Sequence, residues 1–270
     1  MAKSVVTIVK EPDVEKMVVE TFNLLGGINT LFKPNSVIVL KPNIGHPFPP
    51  ESSVNTNIKL VDCVIKEIKK INPKEIIVAE ASARGCDTLE CFNISGIGKV
   101  AEDNGCRIID IKRDKDLIKV PIRDARAAVS TILLPRFLLE ADHIVNMPIF
   151  KSHVAMVFTC ALKNIKGVVQ DTVHYQMHQT NLAASILDLW SVVKADLTIA
   201  DLIRPAEGFG PHCTLPVDFG AVVASRDPVA LDSTVCRIIG LPIDGIKYFE
   251  AARERGFGND AEDMIEIRGK

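Results

Sequence analysis

Several hydrogen-bond donors interrupt an otherwise apolar stretch of the chain, MPIFKSHVAMVFTCALKNIKG, at residues 147–167. These donors are Lys151, His153, Lys163, Asn164 and Lys166. A lysine that is buried without a counter-charge gives up its proton instead of remaining charged. Several lysines kept near one site therefore indicate an anionic partner, either an internal carboxylate or the carboxylate or phosphate of a ligand.

Two histidines follow in the stretch VHYQMHQ. His174 and His178 are four residues apart, a spacing that places two imidazoles on one helix face, where they can chelate a metal. No Glu follows the first histidine as the HExxH pattern requires. A mixed set for a divalent metal would join His178 and His153 to a carboxylate from Asp201 or Glu207. The alternative role of His178 is general acid–base catalysis or hydrogen bonding to a substrate.

Polar and charged side chains recur where apolar, β-branched runs end. They are Lys41, Asn43, Glu80, Arg84, Lys151, His153, Asp201, Arg204, Glu207 and Asp227, with a glycine turn, EGFGP, at 207–211. Individually they have structural explanations, since Asp227 can cap a helix and Gly208 and Gly210 can serve a turn. In open α/β sheets, ligands bind beyond the carboxyl ends of the strands. The recurrence therefore predicts one electropositive pocket at one edge of a sheet.

The elements that would position these residues alternate along the chain. Apolar runs predict strands at 5–10, 36–43, 75–82, 106–114, 143–151, 195–203, 219–227 and 263–269, and an inserted antiparallel pair at 117–122 and 130–136. Spacing near 3.6 predicts helices at 14–27, 57–72, 97–105, 179–194, 227–241 and 244–256. This alternation predicts an α/β fold, a three-layer αβα arrangement with a mostly parallel central sheet. We expect a single α/β domain over residues 1–270.

Composition excludes several classes of protein. The 270 residues are 47% hydrophobic and 24% charged, with a net charge of -2, so no global field attracts nucleic acid. No segment approaches the ~18 uninterrupted apolar residues of a membrane-spanning helix, and the N-terminal apolar run is too short for a signal peptide. We expect a cytoplasmic protein without a membrane or nucleic-acid partner. A homo-oligomer is left open.

The seven cysteines do not form a recognisable framework. An odd, scattered number without an export signal argues against disulfides. The chain has no CxxC pair, and the spacings match no familiar zinc or iron–sulfur pattern. Most of these cysteines are therefore expected to be small buried hydrophobic residues.

The sequence resembles the domain-of-unknown-function family 362 over residues 36–241. Five stretches carry the resemblance: VLKPN, NMPIFKSHVAMVFTCALKNIKG, MHQTN, ADLIRPAEGFGP and ASRDPVALD. The family's Lys–x–His after an apolar strand corresponds to Lys151 and His153. Its Lys–Asn–x–x–Gly begins at Lys163, and its isolated histidine corresponds to His178. Its Glu–Gly–x–Gly–Pro begins at Glu207, and its Asp–Pro and later Asp correspond to Asp227, Pro228 and Asp232.

The resemblance implies no settled chemistry. Many relatives look as if they carry an added ferredoxin-like segment with clustered cysteines, which this chain lacks. The loop after Asn43 also departs from the family, because relatives tend toward Thr–His where this chain has VNTN at 54–57. Because the ferredoxin-like segment is what would carry a redox role in those relatives, the resemblance implies no redox role for this chain.

We interpret the sequence as an enzyme that binds a small anionic molecule at the strand ends, with a divalent metal ion as an open possibility. The residues assigned to substrate binding are Lys41, Asn43, Lys163, Asn164, Gly208 and Gly210. The catalytic residues are His153, His178 and Lys151, the last as a base or nucleophile. The assigned metal ligands are Asp201, Glu207 and His178. Two alternatives remain: a redox accessory protein holding an iron–sulfur cluster or metal, and a non-catalytic binding module for an anionic metabolite.

Overall fold

The computed structural model describes residues 3–127 and 129–269. Its strands are β1 (Ser4–Val9), β2 (Val37–Pro42), β3 (Glu75–Glu80), β4 (Arg107–Asp110), β5 (Leu117–Pro121), β6 (Thr131–Pro135), β7 (His143–Met147), β8 (Ile149–His153), β9 (Val157–Thr159), β10 (Leu197–Phe209), β11 (Cys213–Pro216), β12 (Ala221–Ser225) and β13 (Ile265–Gly269). Its helices are α1 (Val14–Leu24), α2 (Ile28–Leu31), α3 (Ile58–Lys69), α4 (Thr88–Ile94), α5 (Ile97–Asp103), α6 (Arg136–Glu140), α7 (Ala161–Asn164), α8 (Asp171–Gln179), α9 (Leu182–Val192), α10 (Pro228–Ile238) and α11 (Lys247–Arg255).

The central sheet has the order β13-β1-β12-β10-β7-β2-β3-β4. Neighbouring strands pair in parallel except at β12, which runs antiparallel to both β1 and β10. β8 pairs in parallel with β10, and β9 and β11 add antiparallel pairings to β8 and β10. β5 and β6 form a separate antiparallel pair. The predicted α/β class, mostly parallel sheet and inserted antiparallel pair are confirmed.

Hydrophobic side chains on the two faces of the sheet form two separate clusters. Ile38 and Leu40 of β2 belong to one cluster, together with apolar side chains of α1, α3, α4 and α5. Val39 points to the other face and joins apolar side chains of α7, α9, α10 and α11. Alternation along a strand sends successive side chains to opposite faces. Both faces are therefore covered by helices, which gives the predicted three layers.

The predicted strand at 143–151 is wrong in its continuity. It is broken at Pro148 into β7, which pairs with β2, and β8, which pairs with β9. Proline has no N–H to donate to a ladder, and here its carbonyl accepts from Asp201 N at 2.8 Å. The break gives β8 its own course, so that Lys151 reaches the sheet edge from a different strand than Met147.

The predicted end of the strand at residue 203 and the glycine turn at 207–211 also need correction. β10 continues to Phe209, so Glu207 and Gly208 are strand residues that pair with Leu215 and Thr214 of β11. The hairpin turn lies after Phe209 instead. By contrast, the predicted cap of α10 is confirmed, since Asp227 Oδ1 accepts from Val229 N at 2.9 Å and Pro228 fills the first helical position.

None of the helices in the described ranges is long and apolar enough to cross a membrane.

Candidate functional site

A cavity of about 390 Å³ lies at the carboxyl ends of β2, β3 and β8. Its cationic and imidazole side chains are Lys41, Lys151, Lys163, Lys166, Arg84, His46, His153, His174, His178 and His212. Five of the chain's six histidines thus meet at one place. Among the described lining residues the one carboxylate is that of Glu80. A chain with a net charge of -2 therefore concentrates positive charge at this edge of its sheet.

Lys41 and Glu80 form a buried ion pair at the floor of the cavity. Their side chains are 1% and 2% exposed, and Lys41 Nζ lies 2.7 Å from Glu80 Oε2. Lys41 also donates to the carbonyl of Pro42, and Glu80 accepts from the backbone N–H groups of Ile44 and Ala81. Burial lowers the pKa of Lys41 and raises that of Glu80, while the attraction within the pair opposes both shifts. The negative charge of Glu80 is therefore already committed to Lys41.

Asn164 links the ion pair to the rest of the floor. Its Oδ1 accepts from Lys41 Nζ at 3.2 Å and from Asn43 Nδ2 at 2.9 Å. Its Nδ2 donates to Asn146 Oδ1 at 2.8 Å. Asn43 Oδ1 in turn accepts from Lys151 Nζ at 2.9 Å. This network fixes both predicted amides, because every amide oxygen and nitrogen in it has a partner.

Lys151 is buried without a carboxylate. Its Nζ donates to Asn43 Oδ1 and, at 2.6 Å, to the carbonyl of Val54. Burial lowers the pKa of Lys151 to about 7, and the charge of Lys163 adds to the shift. Lys151 therefore loses its proton far more readily than an exposed lysine does.

Lys163 influences the pKa values of most other ionisable groups in the cavity. Within the described part of the chain its Nζ has no hydrogen-bond or ion-pair partner, and its pKa is lowered to about 8, first by burial and then by Lys41. Its charge in turn lowers the pKa of six neighbours: Lys151, Lys166, His46, His153, His174 and His178. An anion placed beside Lys163 would relieve repulsion throughout the cavity.

Lys166 and His178 are in direct contact through Nζ and Nε2. Lys166 is 3% exposed, and burial followed by the charge of Lys163 lowers its pKa to about 6. Burial and the charge of Lys166 lower the pKa of His178 to about 4. His174 and His178 lie on one face of α8, with ring centroids 5.8 Å apart. The amine of Lys166 and the imidazole of His178 are therefore both mainly neutral near pH 7.

His153 and His46 line the cavity as neutral imidazoles. Burial and nearby lysines lower the pKa of His153 to about 3 and that of His46 to about 4. His153 Nδ1 accepts from Ala155 N at 3.1 Å, so in the neutral ring the proton is assigned to Nε2. His46 Nδ1 lies 3.5 Å from Cys86 Sγ, and its ring is 4.8 Å from that of His212.

Asp232 and Gly167 hold in place the segment that carries Lys163 and Lys166, and Gly167 itself lies in the cavity lining. Asp232 is fully buried and accepts from Ala161 N at 2.8 Å and Leu162 N at 2.9 Å, which anchors the start of α7. Burial raises the pKa of Asp232 to about 7. Gly167 closes the segment, because a Cβ there would lie 1.8 Å from Glu80 Oε1. Only glycine allows this segment to pack on the ion pair.

The structure does not bring the predicted metal ligands together. Asp201 lies on a separate cavity with Asn57 and Arg204, and its oxygens accept from the N–H groups of Asn57 and Ile203. Burial raises the pKa of Asp201 to about 6. Glu207 is exposed on β10. Across residues 3–127 and 129–269, no three His, Cys, Asp or Glu side chains are grouped to hold a metal ion.

The two predicted glycines contact β8 instead of the cavity. Gly208 O accepts from Ser152 Oγ at 2.7 Å, and a Cβ on Gly210 would lie 1.8 Å from Ser152 O. Their small size lets the β10–β11 hairpin lie against β8. This contact places Pro211 and His212 in the cavity lining.

Several residues that line the cavity were not assigned to substrate binding, catalysis or a metal from the sequence. Arg84 and Glu80 stand at a strand end, which is the signal that identified Lys151. Lys166 was visible in the same motif as Lys163. His46 and His212 gave no signal, because each lies in a loop whose approach to the cavity depends on tertiary packing.

Comparison with known proteins gives the family. Residues 38–237 match the family described as Domain of unknown function (DUF362). The chain belongs to this family. The resemblance inferred from the five sequence stretches is thereby confirmed.

A curated relative and two solved structures resemble the chain. The relative is the thylakoid-associated protein sll1697 of Synechocystis, 26% identical over 254 residues, which cover 89% of this chain and 74% of that protein. A Thermotoga maritima crystal structure matches with a TM-score of 0.53 at 14% identity, covering 86% of this chain and 61% of that one. The lactate racemase apoprotein of Thermoanaerobacterium thermosaccharolyticum matches with a TM-score of 0.50 at 14% identity, covering 88% and 57%. The chain thus spans about three fifths of these two structures, and the likeness shows the fold alone.

Proposed function

We propose that the cavity is the active site of an enzyme that binds a small carboxylate or phosphate and transfers a proton. One observation carries the proposal: four lysines line the cavity, whereas its one described carboxylate, Glu80, is already paired with Lys41. Lysine binds carboxylate and phosphate as a point charge. A ligand anion would supply the missing counter-charge.

Lys163 is the primary anion contact in this proposal. Its Nζ lacks a described partner, and its charge affects six neighbouring groups. Lys151 supports the same anion from strand β8, where its Nζ donates to Asn43 Oδ1. Lys41 takes a different role from the one predicted, since its donors are directed to Glu80, Pro42 and Asn164.

The Lys166–His178 pair supplies the base. An amine with a pKa of about 6 is mostly unprotonated at pH 7 and can accept a proton from a carbon beside a carboxylate. The electron pair left on that carbon would spread onto the carboxylate next to Lys163, whose charge stabilises it. His153, with its ring proton on Nε2, would donate a hydrogen bond to the same group. His178 reaches the surface and also lines a neighbouring cavity, so it can pass the proton to solvent.

Anion binding should be coupled to proton uptake. Lys151 and Lys163, the two anion contacts, have lowered pKa values of about 7 and about 8, and a bound anion favours their charged forms. Titration calorimetry with inorganic phosphate in two buffers of different ionisation enthalpy should show net proton uptake between about pH 6 and 9. Affinity should be highest at the low end of this window and fall as pH rises.

The matched control is the same titration with an uncharged ligand, glycerol, which should bind weakly and take up no protons. Phosphate and acetate binding that is both weak and independent of pH would contradict an anion site in this cavity.

Catalysis and simple binding are separated by His153→Gln and His178→Gln. Each should lower turnover about 10²–10⁴-fold, the range for general acid–base groups, while the affinity for the substrate changes only a few-fold. The assay is deuterium incorporation from D₂O at the carbon beside the carboxylate in a panel of 2-hydroxy acids, followed by proton NMR. Lactate belongs in the panel because one protein with this fold is a lactate racemase.

The binding-module alternative predicts another pattern. If no acid in the panel exchanges and both substitutions merely weaken binding, the protein is a non-catalytic receptor for an anionic metabolite. The redox alternative has no observation in its favour among the described residues, since no cysteines or histidines there are grouped as cluster ligands.

A further inference from the structure

We infer that the ligand is a dianion whose second anionic group is bound at the cavity mouth by Arg84. This inference rests on the proposed function, because it adds an outer subsite to the inner one. The inner subsite consists of Lys151, Lys163 and Lys166, and the outer subsite of Arg84 and Tyr175. Burial separates the two, since Lys151 and Lys166 are 2% and 3% exposed whereas Tyr175 is 47% exposed.

Arg84 is held at the mouth by an aromatic ring instead of an acid. Its guanidinium carbon lies 4.6 Å from the ring centroid of Tyr175 on α8. A cation above an aromatic face is attracted by the negative charge of the ring's π system. This contact orients the guanidinium group but does not use its N–H donors, which match the geometry of a carboxylate or phosphate.

Other surface arginines of the chain are mostly paired with carboxylates. The described pairs join Arg107 to Glu75, Arg113 to Asp87, Arg136 to Asp116, Arg204 to Asp218, Arg253 to Asp260, Arg255 to Asp188 and Arg268 to Glu266. Within the described ranges Arg84 has no such carboxylate, although it lines a cavity together with four lysines. A ligand group is the partner that its position fits.

The charge and the volume of the cavity also favour a ligand with two anionic groups. Three inner lysines and Arg84 face one cavity whose described carboxylate is committed to Lys41. The Lys163 ammonium group and the Arg84 guanidinium group each lack a described carboxylate partner, so a molecule with two anionic groups would supply one to each, whereas a monovalent anion would leave one of them without. The volume of about 390 Å³ also falls in the range of sites for whole small molecules, about 300–1,000 Å³. A lone carboxylate would fill little of it.

The test compares dicarboxylates with monocarboxylates of equal carbon number, namely malonate with propionate, succinate with butyrate, and glutarate with valerate. At the chain length that spans both subsites, the dicarboxylate should bind about tenfold tighter or more, as expected for one charged hydrogen-bonded contact. Arg84→Met should bring this ratio close to one. Arg123→Met is the matched control, since Arg123 is exposed and lies outside the cavity lining, and it should keep the ratio.

Variants of Tyr175 test how Arg84 is held. Tyr175→Phe keeps the ring and should keep the dicarboxylate preference, whereas Tyr175→Ala should lower it. Equal affinity for both acids at every length, or a preference that survives Arg84→Met, would overturn the inference. Monocarboxylate binding with proton uptake in that case would leave the proposed function standing. Absence of any carboxylate binding would remove the proposed function itself.

Discussion

Lys163→Met should strongly weaken anion binding and at the same time stabilise the folded protein. The side chain lies among Lys41, Lys151 and Lys166, so its charge is repelled in the absence of an anion. Its loss should reduce phosphate affinity by about 100-fold, which corresponds to about 2.7 kcal/mol. Removing this repelled and partly buried charge should also raise the free energy of unfolding, by about 1 kcal/mol, which is the order of one pKa unit.

The stability gain should depend on pH in a defined direction. The folded-state pKa of Lys163, about 8, is below the ordinary value of 10.5, so the unfolded chain binds this proton more tightly. The destabilisation by Lys163 is therefore fully present below about pH 8 and fades as pH rises toward 10.5. Thermal unfolding of both proteins at several pH values should show the largest difference in Tm at the acidic end.

An exposed lysine outside the cavity provides the control. Lys119→Met should change neither phosphate binding nor the pH dependence of Tm. A Lys163→Met protein that unfolds at lower temperature while still binding phosphate would contradict the central role given to Lys163.

Glu80→Gln should destabilise the protein by about 3–5 kcal/mol, the usual cost of removing one partner of a buried ion pair. Lys41 is 0% exposed, and without Glu80 its ammonium group would keep only the carbonyl of Pro42 and the amide of Asn164. The glutamine could still accept one hydrogen bond, but it would carry no charge. The measurement is the free energy of unfolding from urea titration.

Two further variants serve as controls for Glu80→Gln. Glu75→Gln removes an exposed pair with Arg107 at the other end of β3, and such pairs contribute about 0–1 kcal/mol. Lys41→Met combined with Glu80→Gln removes both buried charges and should recover most of the stability. A Glu80→Gln protein no less stable than Glu75→Gln would mean that the pair does not hold the cavity floor.

According to these two predictions, some groups of the site stabilise the folded protein and others destabilise it. The Lys41–Glu80 pair fixes the floor, and the unpaired lysines above it store repulsion that a ligand would relieve. Functional sites commonly contain groups that reduce the stability of the free protein. Lys163 and Glu80 are therefore expected to have opposite effects when substituted, although they line the same cavity.

The sequence by itself determined the class of the fold and the kind of residue at the site. Hydrophobic periodicity depends on neighbours along the chain, so the main strands and helices and the antiparallel pair of β5 and β6 were predicted, whereas the short elements α4, β9 and β11 were not. The motif from Lys151 to Lys166 also identified the main cations of the cavity. Burying a lysine in an apolar stretch is energetically unfavourable unless an anionic group pairs with it.

Only the tertiary structure decided which strand ends share the cavity. Asp201 and Lys151 both follow apolar runs, yet Asp201 bonds to the start of α3 on another cavity while Lys151 reaches Asn43. A strand sends alternate side chains to opposite faces, and the break at Pro148 gives β8 a different course from β7. The cavity that a side chain enters therefore depends on strand register and on partners that are distant in the sequence. Lys151 and Asn43, for example, are separated by 108 positions. Local sequence patterns do not encode such pairings.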